Sequence, residues 1–227
     1  MKIIFCLLFI LLSAGTVSAM DMGNSTSGCH CFRERTFDPK RPFAADAYLL
    51  TTSFNSFIAA SFHISKSQIV MMKMKGGIDP DDLLIGLFVS RAADVELNSL
   101  IAVLENGGTW RDIFESDSLK IRESDADTFR GLIPVLGDRE KAVEMITDHL
   151  LREYFGITDQ ELALLRKEGA TGREIVLVHL LEKYGKRQKS AADIFAMHSI
   201  EKKSWSEIAD FYGMTPKGTG RLLLDQQ

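Results

Sequence analysis

The sequence predicts an all-α fold made of two tandem pseudo-repeats of about five short helices each, packed on one another. Three observations predict it. Apolar residues recur at helical spacing in both halves of the 227-residue chain. Helix-start signals in one half are matched in register by those in the other. No strand-like alternation bounded by hairpin turns occurs anywhere.

Residues 1–19 read as a secretory signal. Lys2 supplies a positive start, Ile3 to Leu12 an apolar run too short to span a bilayer, and Val17-Ser18-Ala19 a small-residue cleavage site. Export to the periplasm or the exterior is therefore expected, with a mature start near Met20. Residues 20–43 form an extended segment carrying Cys29, His30 and Cys31. Cys6 leaves with the leader, so Cys29 and Cys31 are the remaining thiols, a candidate disulfide or thiol site. A disulfide, attachment of a metal or cofactor, and free thiols all stay open. Zinc needs four ligands, which neighbours this close do not supply alone, and the spacing is not that of a haem-attachment motif.

Residues 44–116 form the first repeat, 117–137 a linker, and 138–227 the second repeat with a C-terminal tail. A first helix carries the stripe Leu50, Phe54, Phe57, Ile58 in one copy and Val143, Ile146, Leu150, Tyr154 in the other. A shift of 93 then lays Phe62-His63-Ile64-Ser65 over Phe155-Gly156-Ile157-Thr158. Ser65 with Gln68, and Thr158 with Glu161, read as capping boxes, with Ile64–Ile69 and Ile157–Leu162 as hydrophobic staples. Both second helices are expected to stop at a glycine, Gly76 or Gly169, of the kind a left-handed C′ position favours.

Third helices open at Asp79-Pro80-Asp81-Asp82 and at Thr171-Gly172-Arg173-Glu174. Fourth helices are expected over Val95 to Leu104 and Lys189 to Met197, and short fifth helices after Thr109 and Ser204, each with an acid at N3. Trp110 and Trp205 fall at the same place in the two copies, which assigns both to core packing. The linker is polar and acidic, is broken by Pro134, and has room for one short helix near Asp125 to Ile133.

The chain holds 27 basic and 31 acidic residues, a formal net charge of −4, and loses one further positive charge with Lys2. That balance argues against nucleic acid as the main partner. No stretch after the leader is long enough to span a membrane. His63, His149, His179 and His198 fit no zinc-protease spacing, and His149 with Glu153 makes at most a helix-face pair. No catalytic, metal or cofactor-binding residue is assigned, and no cofactor is expected.

Trp205-Ser206-Glu207-Ile208-Ala209 through Gly213-Met214-Thr215 resembles the first helix and turn of a helix-turn-helix. Gly218, Thr219 and Gly220 then occupy the recognition-helix body, where each glycine costs about 1 kcal/mol relative to alanine. The same Trp-x-x-Ile-Ala-x-x-x-Gly segment is similar to that of small exported bacterial helical proteins without an assigned activity, a resemblance that implies no function. The expected function is an exported binding or scaffold module, acting without catalysis on an unknown protein or small ligand through the groove between its repeats. Met71, Met72 and Met74 would suit an adaptable apolar surface or fill the core. An enzyme of unrecognised type is the second reading and a nucleic-acid binder the third.

Overall fold

The computed structural model describes residues 32–223; the leader and Cys29 and Cys31 lie outside them. The described residues form twelve α-helices and two 3-10 turns, with no strand. In order, these are α1 (Asp46–Ser61), α2 (Lys66–Met74), α3 (Pro80–Ala93), α4 (Leu97–Glu105), α5 (Trp110–Phe114) and α6 (Ala126–Leu132). There follow α7 (Arg139–Phe155), α8 (Asp159–Lys167), α9 (Gly172–Tyr184), α10 (Ala191–Ser199), α11 (Trp205–Phe211) and α12 (Pro216–Thr219). Among the described residues no helix is long and apolar enough to cross a membrane.

Side-chain caps set most boundaries. Ser65, Thr109 and Thr171 close full boxes with Gln68, Asp112 and Glu174. Asp79 accepts the amides of Asp81 at 2.9 Å and Asp82 at 3.4 Å. Ser204 accepts the Glu207 amide. Each such bond satisfies a donor that the helix geometry orphans.

Three expectations need correction. Thr158 caps the Glu161 amide, but the Glu161 carboxylate does not turn back to complete a box. The left-handed residue after α2 is Gly77 (φ 64°), one place beyond Gly76, whereas Gly169 (φ 90°) takes it after α8 as expected. The fourth helices start at Leu97 and Ala191, later than hydrophobicity suggests; Ser190 caps the second through the Asp193 amide.

The core sits where four long helices cross. α1 packs on α9, and α3 packs on α7. α4 packs on α3 and α5 on α4, while α10 packs on α9 and α11 on α10. α1 is buried almost all round, because α2, α9, α11 and α12 also lie against it. Its stripe of Phe54, Phe57 and Ile58 therefore understates its burial: Thr52, Ser53, Asn55 and Ser56 are interior too. Helical hydroxyls can afford this by bonding back to the preceding turn, as Ser56 Oγ does to Thr52 O at 2.9 Å. The same hydroxyl proton is shared with Gly220 O, which seats the one-turn α12 on α1.

Residues 117–137 are built into the body. Phe129 and Leu132 of α6 are buried, Phe129 stacks on Phe114 at 4.3 Å, and α6 packs against both α3 and α7. Met71 and Met74 are exposed, while Met72 packs partly against the core.

Asp46, in the first turn of α1, also holds the start of α11. Its carboxylate accepts the Trp205 amide at 2.9 Å, the Ser206 amide at 2.8 Å and Ser206 Oγ at 2.8 Å. Asp46→Ala would strip a charged acceptor from two amides in a buried place, so chemical denaturation should show a loss of about 2 kcal/mol. A loss within about 0.5 kcal/mol would mean that Ser204 alone secures α11.

Candidate ligand-binding site

A cleft of about 610 Å³ opens where the first turns of α3 and α9 meet α1, α2, α7 and α8. Phe54, Pro80, Leu84 and Val143 make its apolar walls. Lys73, Arg166 and Arg173 bring positive charge, and Asp81, Glu140 and Glu144 bring negative charge. Small-molecule sites share this combination of volume, apolar walls and a few polar groups.

The two cations at the ends of α2 and α8 are held alike. Lys73 Nζ donates to Asn55 Oδ1 of α1 at 2.9 Å. Arg166 donates to Asp148 Oδ1 of α7 at 2.5 Å and to Ala170 O at 3.0 Å. Lys73 and Arg166 stand 93 positions apart, as do Asn55 and Asp148. The difference lies in charge. Arg166 is neutralised by Asp148, with Glu144 at 3.9 Å. Lys73 has a neutral partner, and among the described residues neither it nor Arg173 forms an ion pair with a carboxylate.

Burial, and then the Arg173 charge, lower the Lys73 pKa from 10.5 to about 8. The Arg173 guanidinium lies 5.7 Å from the centre of the Phe54 ring. Asp81 is raised above the usual carboxylate value by burial first and by Asp79 second.

The two helix starts differ as well. In α3 the Asp79 carboxylate occupies the first-turn amides. In α9 Thr171 Oγ1 accepts the Glu174 amide alone, and no hydrogen bond from the Gly172 or Arg173 amide occurs among the described residues. Gly172 is required by close approach, since a Cβ there would lie 2.8 Å from Thr147 Cγ2.

The other residues singled out in the sequence have structural surroundings. His149 and Glu153 are a weak pair at 3.9 Å; His149 instead sits 3.0 Å from Asp125 Oδ1 and 3.0 Å from Thr128 Oγ1. Arg91 joins them, reaching Asp125 at 3.0 Å and Glu153 at 2.8 Å. This network ties the 117–137 segment to α3 and α7. His198 stacks on Trp205 at 4.3 Å. Trp110 and Trp205 are buried, and each indole N–H reaches an N3 acid: Trp110 donates to Asp82 at 2.8 Å and Trp205 to Glu174 at 3.2 Å.

The charged lining of the cleft was missed by sequence reasoning. One signal was available: a cation in the last turn of α2 and another in that of α8, Lys73 and Arg166, 93 positions apart. Neither protein-family models, nor curated proteins compared by sequence, nor solved structures compared by fold match this chain.

Proposed function

We propose that this chain is an exported helical binding module whose cleft takes a small zwitterion of the amino-acid or short-peptide class. The observation that carries the reading is that Lys73, Arg173, Asp81 and Glu140 line one cleft and none of them forms an ion pair among the described residues. Lys73, Arg173 and the open amides of Gly172 and Arg173 suit an anionic end; Asp81 and Glu140 suit a cationic one. Phe54, Leu84 and Val143 suit an apolar body between them. The volume exceeds that of a single amino acid and leaves room for a short peptide. Mass spectrometry of small molecules released from protein purified from its source would test this. A zwitterion or short peptide at near-stoichiometric amount is expected; a purely apolar ligand, or none, would count against it.

We further propose that the two halves are diverged copies and that the cleft lies on the approximate two-fold axis between them. Supporting this, α1 crosses α9 while α3 crosses α7, a reciprocal exchange of first and third helices. Matching caps, the two indole–N3 acid bonds and the Lys73/Arg166 register support it too. Export rests on the leader-like residues 1–19, and N-terminal sequencing of protein from the source cell should begin near Met20. The enzyme reading has one observation in its favour, the depressed Lys73 amine, which is what amine nucleophiles require.

Lys73→Met separates binding from stability. The folded-state pKa near 8 lies below the unfolded value of 10.5, so the native chain holds fewer protons than the unfolded one between those values. Stability from this group therefore rises with pH from about 8 to 10.5, and its burial penalty is fully present below 8. Lys73→Met should be at least as stable as the parent at pH 7. It should also lose Lys73's share of the pH dependence, while Lys66, lowered to about 8 by burial and Arg221, keeps its own. Ligand capture should fall by tenfold or more. A variant that binds as well as the parent would remove Lys73 from the site.

A further inference from the structure

We propose that Glu161, His179 and Glu182 bind a first-row divalent metal ion, with zinc the best match. The cluster lies between α8 and α9 and is independent of the cleft reading. One ligand atom of each residue lies within 4.8 Å of the other two. His179 Nδ1 is 3.1 Å from Glu182 Oε2. Two donors bonded at about 2.0–2.1 Å to one tetrahedral metal sit about 3.3 Å apart, so this edge of the site is already set.

The sequence places these groups for local reasons. His179 and Glu182 are three apart on α9 and share a face. Glu161 is the N3 residue of α8, where a capping carboxylate would return to Thr158, as Glu174 returns to Thr171. It instead approaches His179. Glu182 is oriented by its second oxygen, which accepts the Ala191 amide at 3.1 Å. Such outer contacts are what fix metal ligands in place.

The imidazole itself is interior and stacks on Phe155, which fixes the plane of the ring beside the two carboxylates. His179 is 5% exposed, and its Nε2 is buried without a hydrogen-bond partner. On metal binding at Nδ1 the ring proton resides on Nε2. One imidazole and two carboxylates suit zinc and its first-row neighbours, whereas calcium and magnesium favour oxygen alone. Three protein ligands leave further positions to water.

The test uses the full chain stripped of metal. Cys29, His30 and Cys31 offer donors elsewhere in it, so a Cys29→Ser/Cys31→Ser background is needed. Calorimetric titration with zinc against a competing chelator should then show one ion per chain. Cobalt substitution should give a visible spectrum without a thiolate charge-transfer band. Glu161→Gln and Glu182→Gln should each weaken zinc by about tenfold or more. Melting of metal-free Glu161→Gln should match its parent, which separates a lost ligand from a lost fold. Absence of saturable binding in the serine background, or zinc affinity unchanged in Glu161→Gln, would overturn the proposal.

Discussion

Trp205→Ala should cost about 4 kcal/mol of stability, as loss of a large buried aromatic does. Trp205 is 1% exposed, stacks on His198 at 4.3 Å and donates to Glu174 at 3.2 Å. Total stabilities of domains this size are about 5–15 kcal/mol, so this variant should sit near its unfolding threshold. Trp205→Phe keeps most of the ring and drops the N–H, for an expected cost of about 1–2 kcal/mol. If the halves are copies, Trp110→Phe should cost a similar amount, since its N–H meets Asp82 in the same geometry. Urea denaturation of the three variants measures this. A Trp205→Ala loss below about 1.5 kcal/mol would mean that α10 and α11 repack freely.

Asp125→Ala should cost about 3–5 kcal/mol, the range for removing one member of a buried ion pair. Asp125 is 1% exposed and serves Arg91 at 3.0 Å, His149 at 3.0 Å and Arg122 at 3.4 Å. Without it, the one carboxylate left to Arg91 among the described residues is the half-exposed Glu153, and its buried Nε already lacks a partner. An apolar pair, Arg91→Met with Asp125→Leu, should recover part of the loss, because neither charge is then stranded. Equal losses in the single and double variants would show that geometry, rather than charge, fixes the 117–137 segment.

The legible parts of this molecule were those governed by local chemistry. Ser65, Asp79, Thr109, Thr171 and Ser204 fixed helix starts, because a capping oxygen acts within three residues of itself. Less legible was anything set by a distant neighbour. Phe129 and Leu132 lie in a segment too polar to suggest a core element, and their burial follows from α3, α7 and Phe114. Ser53 and Ser56 look like a solvated helix face until α12 and α9 cover it. Glu161 looked like half of a capping box, because sequence cannot say which of two partners a carboxylate prefers. The cleft combines both lessons. Lys73 and Arg173 are 100 residues apart and read singly as surface cations; their shared setting needs the α1–α9 and α3–α7 crossings.

The central claim, a zwitterion site in that cleft, is tested most directly by amide NMR titration of the intact chain with leucyl-leucine. Its N-acetylated and C-amidated forms, and the Lys73→Met variant, serve as comparisons. Saturable shifts at Gly172 and Arg173 are predicted with the free dipeptide, weakened about tenfold or more by blocking either end and by Lys73→Met. No shift in the first turn of α9, or shifts indifferent to both blocking groups and to Lys73→Met, would contradict it.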